Sequence, residues 1–232
     1  MEKSSFGSYL RSTYSPWGNS QTPFSQSSGT GVSWNNGYTN MLSYEFGMLY
    51  NTSTLTWRFG IEIFSPANLT GVTGKDSATN ATTYYTMYNT NSIVNPKIGI
   101  EVNLKTWPQS RLWTYFDYGL ANLTLSNTFQ FTAAGTAQFP TPGANFREEI
   151  KGNAGNYTAG MGFESLLSDN TTWCFELGYR MMQFSGLSHN VAANTFQGVV
   201  TSGSSANTNS GNGRDLSLSA VYAAFLLRIW VY

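Results

Sequence analysis

Large apolar residues alternate with polar residues along most of this chain, and the stretch LTWRFGIEI at residues 55–63 shows the pattern clearly. Its apolar positions are Leu55, Trp57, Phe59, Ile61 and Ile63. Because successive side chains of a β-strand point to opposite faces, this alternation predicts a strand with one apolar face. The opposite face carries two charges, Arg58 and Glu62, and these must be kept away from whatever covers the apolar side.

Eight segments alternate in this way, and together they predict an all-β protein. They cover residues 4–14, 38–50, 54–64, 93–104, 112–125, 154–167, 172–184 and 216–232, approximately. Segments of roughly 11–17 residues reach the ~9–11 residues that a tilted strand needs to cross a membrane. No composition shift marks a boundary between them, so residues 1–232 are predicted to form a single domain.

The connections between these segments alternate in length. Short ones fall at 51–53, 105–111 and 168–171, whereas long ones rich in Ser, Thr, Asn and Gly fall at 15–37, 65–92, 126–153 and 185–215. This order places three short turns at one end of the strands and four long loops at the other. It predicts an antiparallel up-and-down barrel of eight strands.

Residue size and charge indicate which face points into the barrel. Glycines share the charged face, at Gly7, Gly47, Gly60, Gly99, Gly119, Gly160, Gly162 and Gly178. An eight-stranded barrel has an interior just wide enough for side chains, so the aromatic-rich apolar face would not fit inside. Only 10% of the residues are charged, against about 25% in typical soluble domains, so a soluble barrel would lack a charged exterior. The apolar face is therefore predicted to face lipid.

The charged residues are then predicted to form a network inside the barrel, because buried charges persist only when they are paired. By alternation this network comprises Arg11, Glu45, Arg58, Glu62, Lys97, Glu101, Asp117, Glu164, Glu176, Arg180 and Arg228. A tight turn near residues 50–53 predicts an ion pair between Glu45 and Arg58. Cys174 is also predicted to point inward as a small filler residue.

Aromatic residues near the strand ends are predicted to form girdles at the two membrane interfaces. They are Tyr38, Tyr50, Trp107, Trp173, Trp230 and Tyr232. Aromatic residues also occur in the long loops, at Trp17, Phe24, Trp34, Phe129, Phe131, Phe139, Phe146 and within TTYYTMYN at 82–89. These loop aromatics either bind glycans or proteins or pack on one another above the membrane, and the continued alternation of LTLSNTFQF at 123–131 favours packing.

With these strands, loops and the last segment SAVYAAFLLRIWVY, the chain resembles the eight-stranded outer-membrane barrels of the OmpA-type transmembrane domain class. The resemblance implies a bacterial outer-membrane location, periplasmic termini and short turns, and extracellular loops. It also implies contact with outer-membrane lipids, including lipopolysaccharide, and with the barrel assembly machinery, which would read Trp230 and Tyr232 as a C-terminal signal. Alternation places Tyr232 on the inner face, whereas the terminal aromatic of such barrels usually faces lipid; a bulge near Ala223–Ala224 would reverse this.

The sequence favours a non-enzymatic scaffold that presents its loops for interaction, including a possible surface ligand, with its interior plugged by charges. A narrow pore for ions or small solutes is the first alternative, and a lipid-modifying enzyme is the second. The single histidine, His189, has Val191 where a deacylase-like site would have Ser, so the enzyme is disfavoured. With one His and one Cys, no metal or other cofactor is expected.

The 12 basic and 12 acidic residues balance, which argues against nucleic acid as a partner. The N-terminus lacks the apolar core of a signal peptide, so a mature form with an added Met1 is expected.

Overall fold

The computed structural model describes residues 5–21, 32–34, 37–52, 54–66, 69–142, 144–208 and 211–231, except for the side chains of 17–21. The alternating segments form eight long strands. They are β1 (Ser5–Gln21), β2 (Tyr38–Asn51), β3 (Leu55–Pro66), β4 (Thr83–Trp107), β5 (Ser110–Phe131), β6 (Phe146–Ser168), β7 (Thr171–Phe184) and β8 (Ala220–Val231).

Each long strand pairs antiparallel with its neighbours in the sequence, and β8 also pairs with β1, so that the sheet closes. The closing register sets Phe6 opposite Val231 and Arg11 opposite Leu226. Closure leaves no free edge along the paired length, which a β-structure needs in a membrane because lipid cannot hydrogen-bond to the backbone. The predicted eight-stranded antiparallel barrel is confirmed.

Within the described part of the chain, no helix is long and apolar enough to cross a membrane. The helix that does occur, Ala133–Gln138, lies in the β5–β6 loop and begins after Thr132, whose hydroxyl accepts a hydrogen bond from the amide of Gly135. Short strands lie at the same end of the barrel as this helix. They are Val32–Trp34, Val72–Asp76, Ser188–His189, Ala193–Thr195, Gly198–Val200 and Leu216–Ser217.

Four strands extend well beyond their predicted ends, which corrects the loop boundaries. Strand β1, predicted to end at residue 14, runs to Gln21. Strand β4 starts at Thr83 rather than near 93, β5 runs on to Phe131, and β6 begins at Phe146. Residues of the predicted loops 65–92 and 126–153 therefore belong to a sheet that projects from the barrel. In residues 83–92 and 126–131 the apolar residues alternate mainly with uncharged polar residues, and in residues 146–153 the consecutive charges Arg147, Glu148 and Glu149 interrupt the alternation, so the pattern is weaker in the sequence.

The outer wall carries a continuous apolar belt. Its exposed members include Phe6, Leu10, Tyr44, Phe46, Met48, Phe59, Ile61, Ile63, Val94, Ile98, Phe116, Leu120, Met161, Phe175, Leu177, Tyr179, Val221, Phe225 and Ile229. A soluble monomer seldom exposes an apolar patch larger than a few hundred Å², so this belt identifies a surface in contact with lipid. On β4, β5 and β6 the outer wall above the belt becomes polar, at positions such as Ser92, Thr124 and Lys151.

The interior has two layers of opposite character. The charged layer lies inside the belt and contains the ionisable side chains described below. The apolar layer lies above it and is a buried cluster that includes Met41, Phe64, Ile93, Leu123 and Phe184. Buried side chains therefore occupy the interior at both levels.

The aromatic girdle differs from its prediction at two positions. Tyr38 and Trp230 are buried inside the barrel. Trp230 falls on the inward side of β8 by alternation, whereas Tyr38 is buried because the in–out pattern of β2 shifts phase between Tyr38 and Met41. Trp107 is exposed, and Tyr50 and Trp173 are partly exposed. Strand β8 pairs without a bulge from Ala220 to Ile229, so Val231 faces out. Tyr232 lies outside the described residues.

Candidate functional site

The structure places all eleven residues of the predicted charge network in the buried interior. It adds a twelfth, Arg111, which sequence reasoning had assigned to the turn at 105–111. The signal that could have found it is alternation, because Arg111 shares its face with Trp113 and Asp117 on β5. With Arg111 included, six cationic side chains oppose six carboxylates in the charged layer.

The lower part of the charged layer is organised by Arg228 and Arg111. Arg228 forms a bidentate pair with Glu101, with Nη2–Oε1 and Nη1–Oε2 distances of 2.5 and 3.1 Å. Arg111 lies directly opposite Glu164, and its Nε is 2.5 Å from Oε2 of that carboxylate. Glu164 also accepts a hydrogen bond from the indole N–H of Trp230 at 3.3 Å. Trp230 therefore ties the end of β8 to β6 rather than contacting lipid.

The middle of the charged layer is built on Arg58 and Arg11. Arg58 Nη1 lies 2.8 Å from Glu176 Oε1, and its Nε lies 3.7 Å from Asp117. Arg11 bridges two carboxylates, at 2.7 Å from Glu176 and 3.0 Å from Glu45. Because Glu176 belongs to β7 and Arg58 to β3, the Arg58–Glu176 pair crosses the barrel, whereas Arg11 and Glu45 lie opposite each other on neighbouring strands.

The upper part of the charged layer surrounds Lys97. Its Nζ lies 2.6 Å from Glu45, 3.3 Å from Glu62 and 3.6 Å from Asp117. Arg180 of β7 reaches Glu62 at 2.6 Å, so this carboxylate is held from two sides. The single ammonium of Lys97 therefore offsets the repulsion among three carboxylates.

The predicted ion pair between Glu45 and Arg58 is wrong. The β2–β3 register sets Glu45 opposite Glu62 and Leu49 opposite Arg58. The hairpin pairs Asn51 with Thr56, so the two strands are offset by a few residues from the register that the sequence suggested. Glu45 instead pairs with Arg11, directly opposite on β1, and with Lys97.

Aromatic rings fill the space between the guanidinium groups. The guanidinium carbon of Arg58 lies 5.5 Å from the ring centre of Tyr9 and 5.2 Å from that of Tyr115. Arg228 lies 4.8 Å from Trp113, and Arg180 lies 4.4 Å from Phe64. Cation–π contacts of this kind gain strength where water is excluded. The aromatic rings and the guanidinium groups therefore share the buried space of the charged layer.

A chain of polar side chains crosses the apolar layer. Tyr38 donates a hydrogen bond to Asn89, whose amide donates to Asn127 at 2.7 Å. Asn127 donates to Glu148 at 2.9 Å, and Glu148 also accepts from Arg214 at 2.9 Å. The ring of His189 is buried near this chain. Burial is the main cause that lowers its pKa; Glu148, the stronger of the two charged neighbours, opposes the shift, and Arg214 adds to it.

The loop aromatics pack on one another, as the continued alternation favoured. Phe196 sits among them, with ring centres of Phe129 and Phe146 each 5.1 Å away. Tyr85 is fully buried beside them and accepts a hydrogen bond from the indole N–H of Trp34 at 3.0 Å. Phe24 lies outside the described residues, as does the side chain of Trp17. The described loop aromatics are thus part of the apolar layer and its rim.

Two residues considered for chemistry are also buried. Cys174 is a free thiol, fully enclosed on β7 opposite Leu226 and Glu164. His189 is 2% exposed, whereas Val191 close by is 39% exposed. The His189 ring therefore faces the protein interior, away from the lipid-facing wall where a lipid-modifying site would need it.

Comparison of the sequence with protein-family models and with curated proteins finds no match. Among solved structures, a major outer membrane protein from Thermus thermophilus is similar, with a TM-score of 0.50 and 10% identity over 99% of this chain and 100% of that one. OprG from Pseudomonas aeruginosa matches with a TM-score of 0.49 and 10% identity, over 100% and 97% of the two chains. The protease OmpT from Escherichia coli matches with a TM-score of 0.34 and 9% identity, over 98% and 95%.

At such low identities the likeness concerns the fold alone. The chain has the fold of bacterial outer-membrane β-barrels.

Proposed function

We propose that this protein is a sealed, non-enzymatic barrel that anchors and presents its extracellular loops at the bacterial surface. Its outer wall holds it in the membrane, and the filled interior supports the projecting sheet formed by β4, β5 and β6. Interaction with other molecules would then take place at the loops.

The observation that carries this proposal is the filling of the interior. Six cations and six carboxylates are buried and interlinked, and aromatic rings occupy the space between the guanidinium groups. The apolar layer above adds a second barrier, because ions would lose their hydration on entering it. A narrow pore would have to open both layers.

Single-channel recording in planar bilayers tests the seal. The purified protein is expected to insert without unitary current steps. Steady openings in the wild-type protein that change or disappear in Glu45→Ala or Arg58→Ala would overturn the sealed barrel and favour the narrow pore.

The β7–β8 loop provides a surface for a ligand. A crevice of about 470 Å³ there is lined by uncharged residues that include Gln197, Val199, Thr201, Ser205 and Asn207. Hydroxyl and amide groups beside an exposed valine suit a neutral, hydroxyl-rich ligand such as a glycan. A glycan-binding screen with the protein in nanodiscs tests this, and binding that persists in Thr201→Val with Asn207→Ala would exclude the crevice.

A further inference from the structure

Two of the points at which the β7–β8 loop, residues 185–219, is held to the end of the barrel involve buried ionisable side chains. At the first, Ser188 and His189 pair with Lys151 and Ile150 of β6. His189 also exchanges backbone hydrogen bonds with the rest of the loop, donating to Ser204 and accepting from Gly203, each at 2.8 Å. His189 therefore links strand β6 of the barrel wall to Gly203 and Ser204 of the same loop.

The second point is the ion pair between Arg214 and Glu148. Arg214 Nη1 lies 2.9 Å from Glu148 Oε1, which joins the segment before β8 to β6. Arg214, Glu148 and His189 are each at most 4% exposed. Both anchor points thus lie under the loop in one water-poor region.

In its buried position, the protonated ring of His189 would not be stabilised by a neighbouring group. Among the described residues, neither ring nitrogen has a hydrogen-bond partner. The charged groups facing it are Glu148 from β6 and Arg214 from the loop, and these two already neutralise each other. Tyr85 of β4 interacts with Glu148 and carries no charge at neutral pH. A proton on His189 would add an unpaired positive charge beside Arg214.

We propose that His189, Glu148 and Arg214 form an acid-released latch, which holds the β7–β8 loop on the barrel at neutral pH and releases it when His189 is protonated. Release would expose the ring to water, where the imidazolium is hydrated. The latch goes beyond the proposed scaffold function and does not depend on whether the barrel conducts.

The direction of the pH dependence follows from the lowered pKa of His189. A histidine in the released loop would titrate near its ordinary value of ~6.5. Because the latched state binds the proton less readily, the latch is fully present above pH ~6.5 and weakens as the pH falls through the latched-state pKa. Over that window the opening equilibrium is expected to rise by up to about tenfold per pH unit, as for one linked proton.

The sole histidine makes the test direct, because its ring gives an assignable NMR signal. The protein in nanodiscs is titrated from pH 8 to pH 5, and exchange of backbone amides is followed at the same pH values after correction for intrinsic rates. We expect a ring midpoint below 6.5 and loss of protection at Gly203, Ala206 and Arg214 over the same range. Amides of the β4–β5 ladder serve as the internal control and are expected to stay protected.

Two variants distinguish release of the latch from a non-specific loss of loop structure at low pH. His189→Gln cannot be protonated and is expected to keep its loop protection across the range. Glu148→Gln removes the ion pair, so its loop amides exchange faster at pH 7.5 and its ring midpoint moves lower. Protection that survives the titration of His189, or an unchanged acid-induced loss in His189→Gln, would overturn the latch. If His189→Gln does not fold, an unchanged midpoint and unchanged exchange in Glu148→Gln would overturn it.

Discussion

Glu45 and Glu62 lie directly opposite each other on β2 and β3, and both carboxylates are fully buried. Like charges in this position repel one another, and neither strand of the pair supplies a cation that reaches both. Lys97 of β4 contacts both carboxylates, while Arg11 of β1 and Arg180 of β7 each hold one. The β2–β3 pairing therefore depends on cations that strands outside the hairpin supply.

Replacing Lys97 tests whether the β2–β3 pairing depends on the cation that β4 supplies. Lys97→Met removes the cation nearest to three buried carboxylates and is expected to lower the free energy of unfolding by about 3–5 kcal/mol. Denaturant titration in lipid vesicles, read by the gel mobility of unboiled samples, measures this. Lys105→Gln, an exposed lysine at the other end of the same strand, is expected to change stability by less than about 0.5 kcal/mol. Similar small effects in both variants would mean that the network contributes little.

Glycines in the charged layer leave room for large side chains, and Gly160 is a sharp case. A Cβ atom there would lie 2.6 Å from the Tyr115 hydroxyl and 2.7 Å from the Cα of Gly178. The second neighbour is backbone and cannot rotate away, so Gly160→Ala is expected to destabilise the barrel by about 1–3 kcal/mol. Gly213→Ala, where no atom lies within 4 Å, is the matched control. Equal unfolding midpoints for the two variants would contradict the crowding.

Phe196 attaches the β7–β8 loop to the projecting sheet through its contacts with Phe129 and Phe146. Phe196→Ala is expected to reduce the protection of loop amides by about 2 kcal/mol, while the strands inside the lipid belt keep theirs. Hydrogen exchange resolved by residue measures both regions at once. Val199→Ala alters a side chain that is 83% exposed in the same hairpin and should have no effect. A loss spread evenly over the barrel would show that the two regions unfold together.

The lipid-facing wall can be tested at Leu177, which lies midway along the apolar face of β7 and is 56% exposed. An arginine there would face the hydrocarbon core, so Leu177→Arg is expected to cost about 2–4 kcal/mol of stability in a bilayer. Val199→Arg places the same side chain in the loop and should cost less than about 0.5 kcal/mol. Equal costs measured by denaturant titration in vesicles would place Leu177 outside the lipid.

Alternation carried most of what the sequence could predict. It separated the two faces of every strand, so Arg58 and Glu62 could be assigned to the interior and Leu177 to lipid. Arg111 was missed because Pro108 and the polar residues around it resemble a longer turn, although the face it shares with Asp117 was readable. Trp230 was assigned to the girdle by residue type, while its position in the alternation indicated the interior. Tyr38 shares the parity of the outward-facing Leu42 and Tyr44, and alternation could not find its burial because the in–out pattern of β2 shifts phase between Tyr38 and Met41.

Register could not be predicted, and the partners of the charges depend on it. A shift of a few residues in the β2–β3 hairpin decides whether Glu45 faces Arg58 or Glu62, and turn length alone does not fix that shift. Pairs such as Arg58 with Glu176 join strands far apart in the sequence. Their geometry appears only once the ring is closed.

The change in character along β4, β5 and β6 has a consequence for how deep the protein sits. On β4, Ile98 faces out and Lys97 faces in, yet nearer the loops Ser92 faces out and Ile93 faces in. Along this one strand the outward face changes from apolar to polar, and the inward face changes from charged to apolar, at the same level. Moving the barrel along the membrane normal would expose apolar residues to water or place hydroxyl groups in the hydrocarbon core. The outward-facing residues of the chain therefore set the level of the membrane surface.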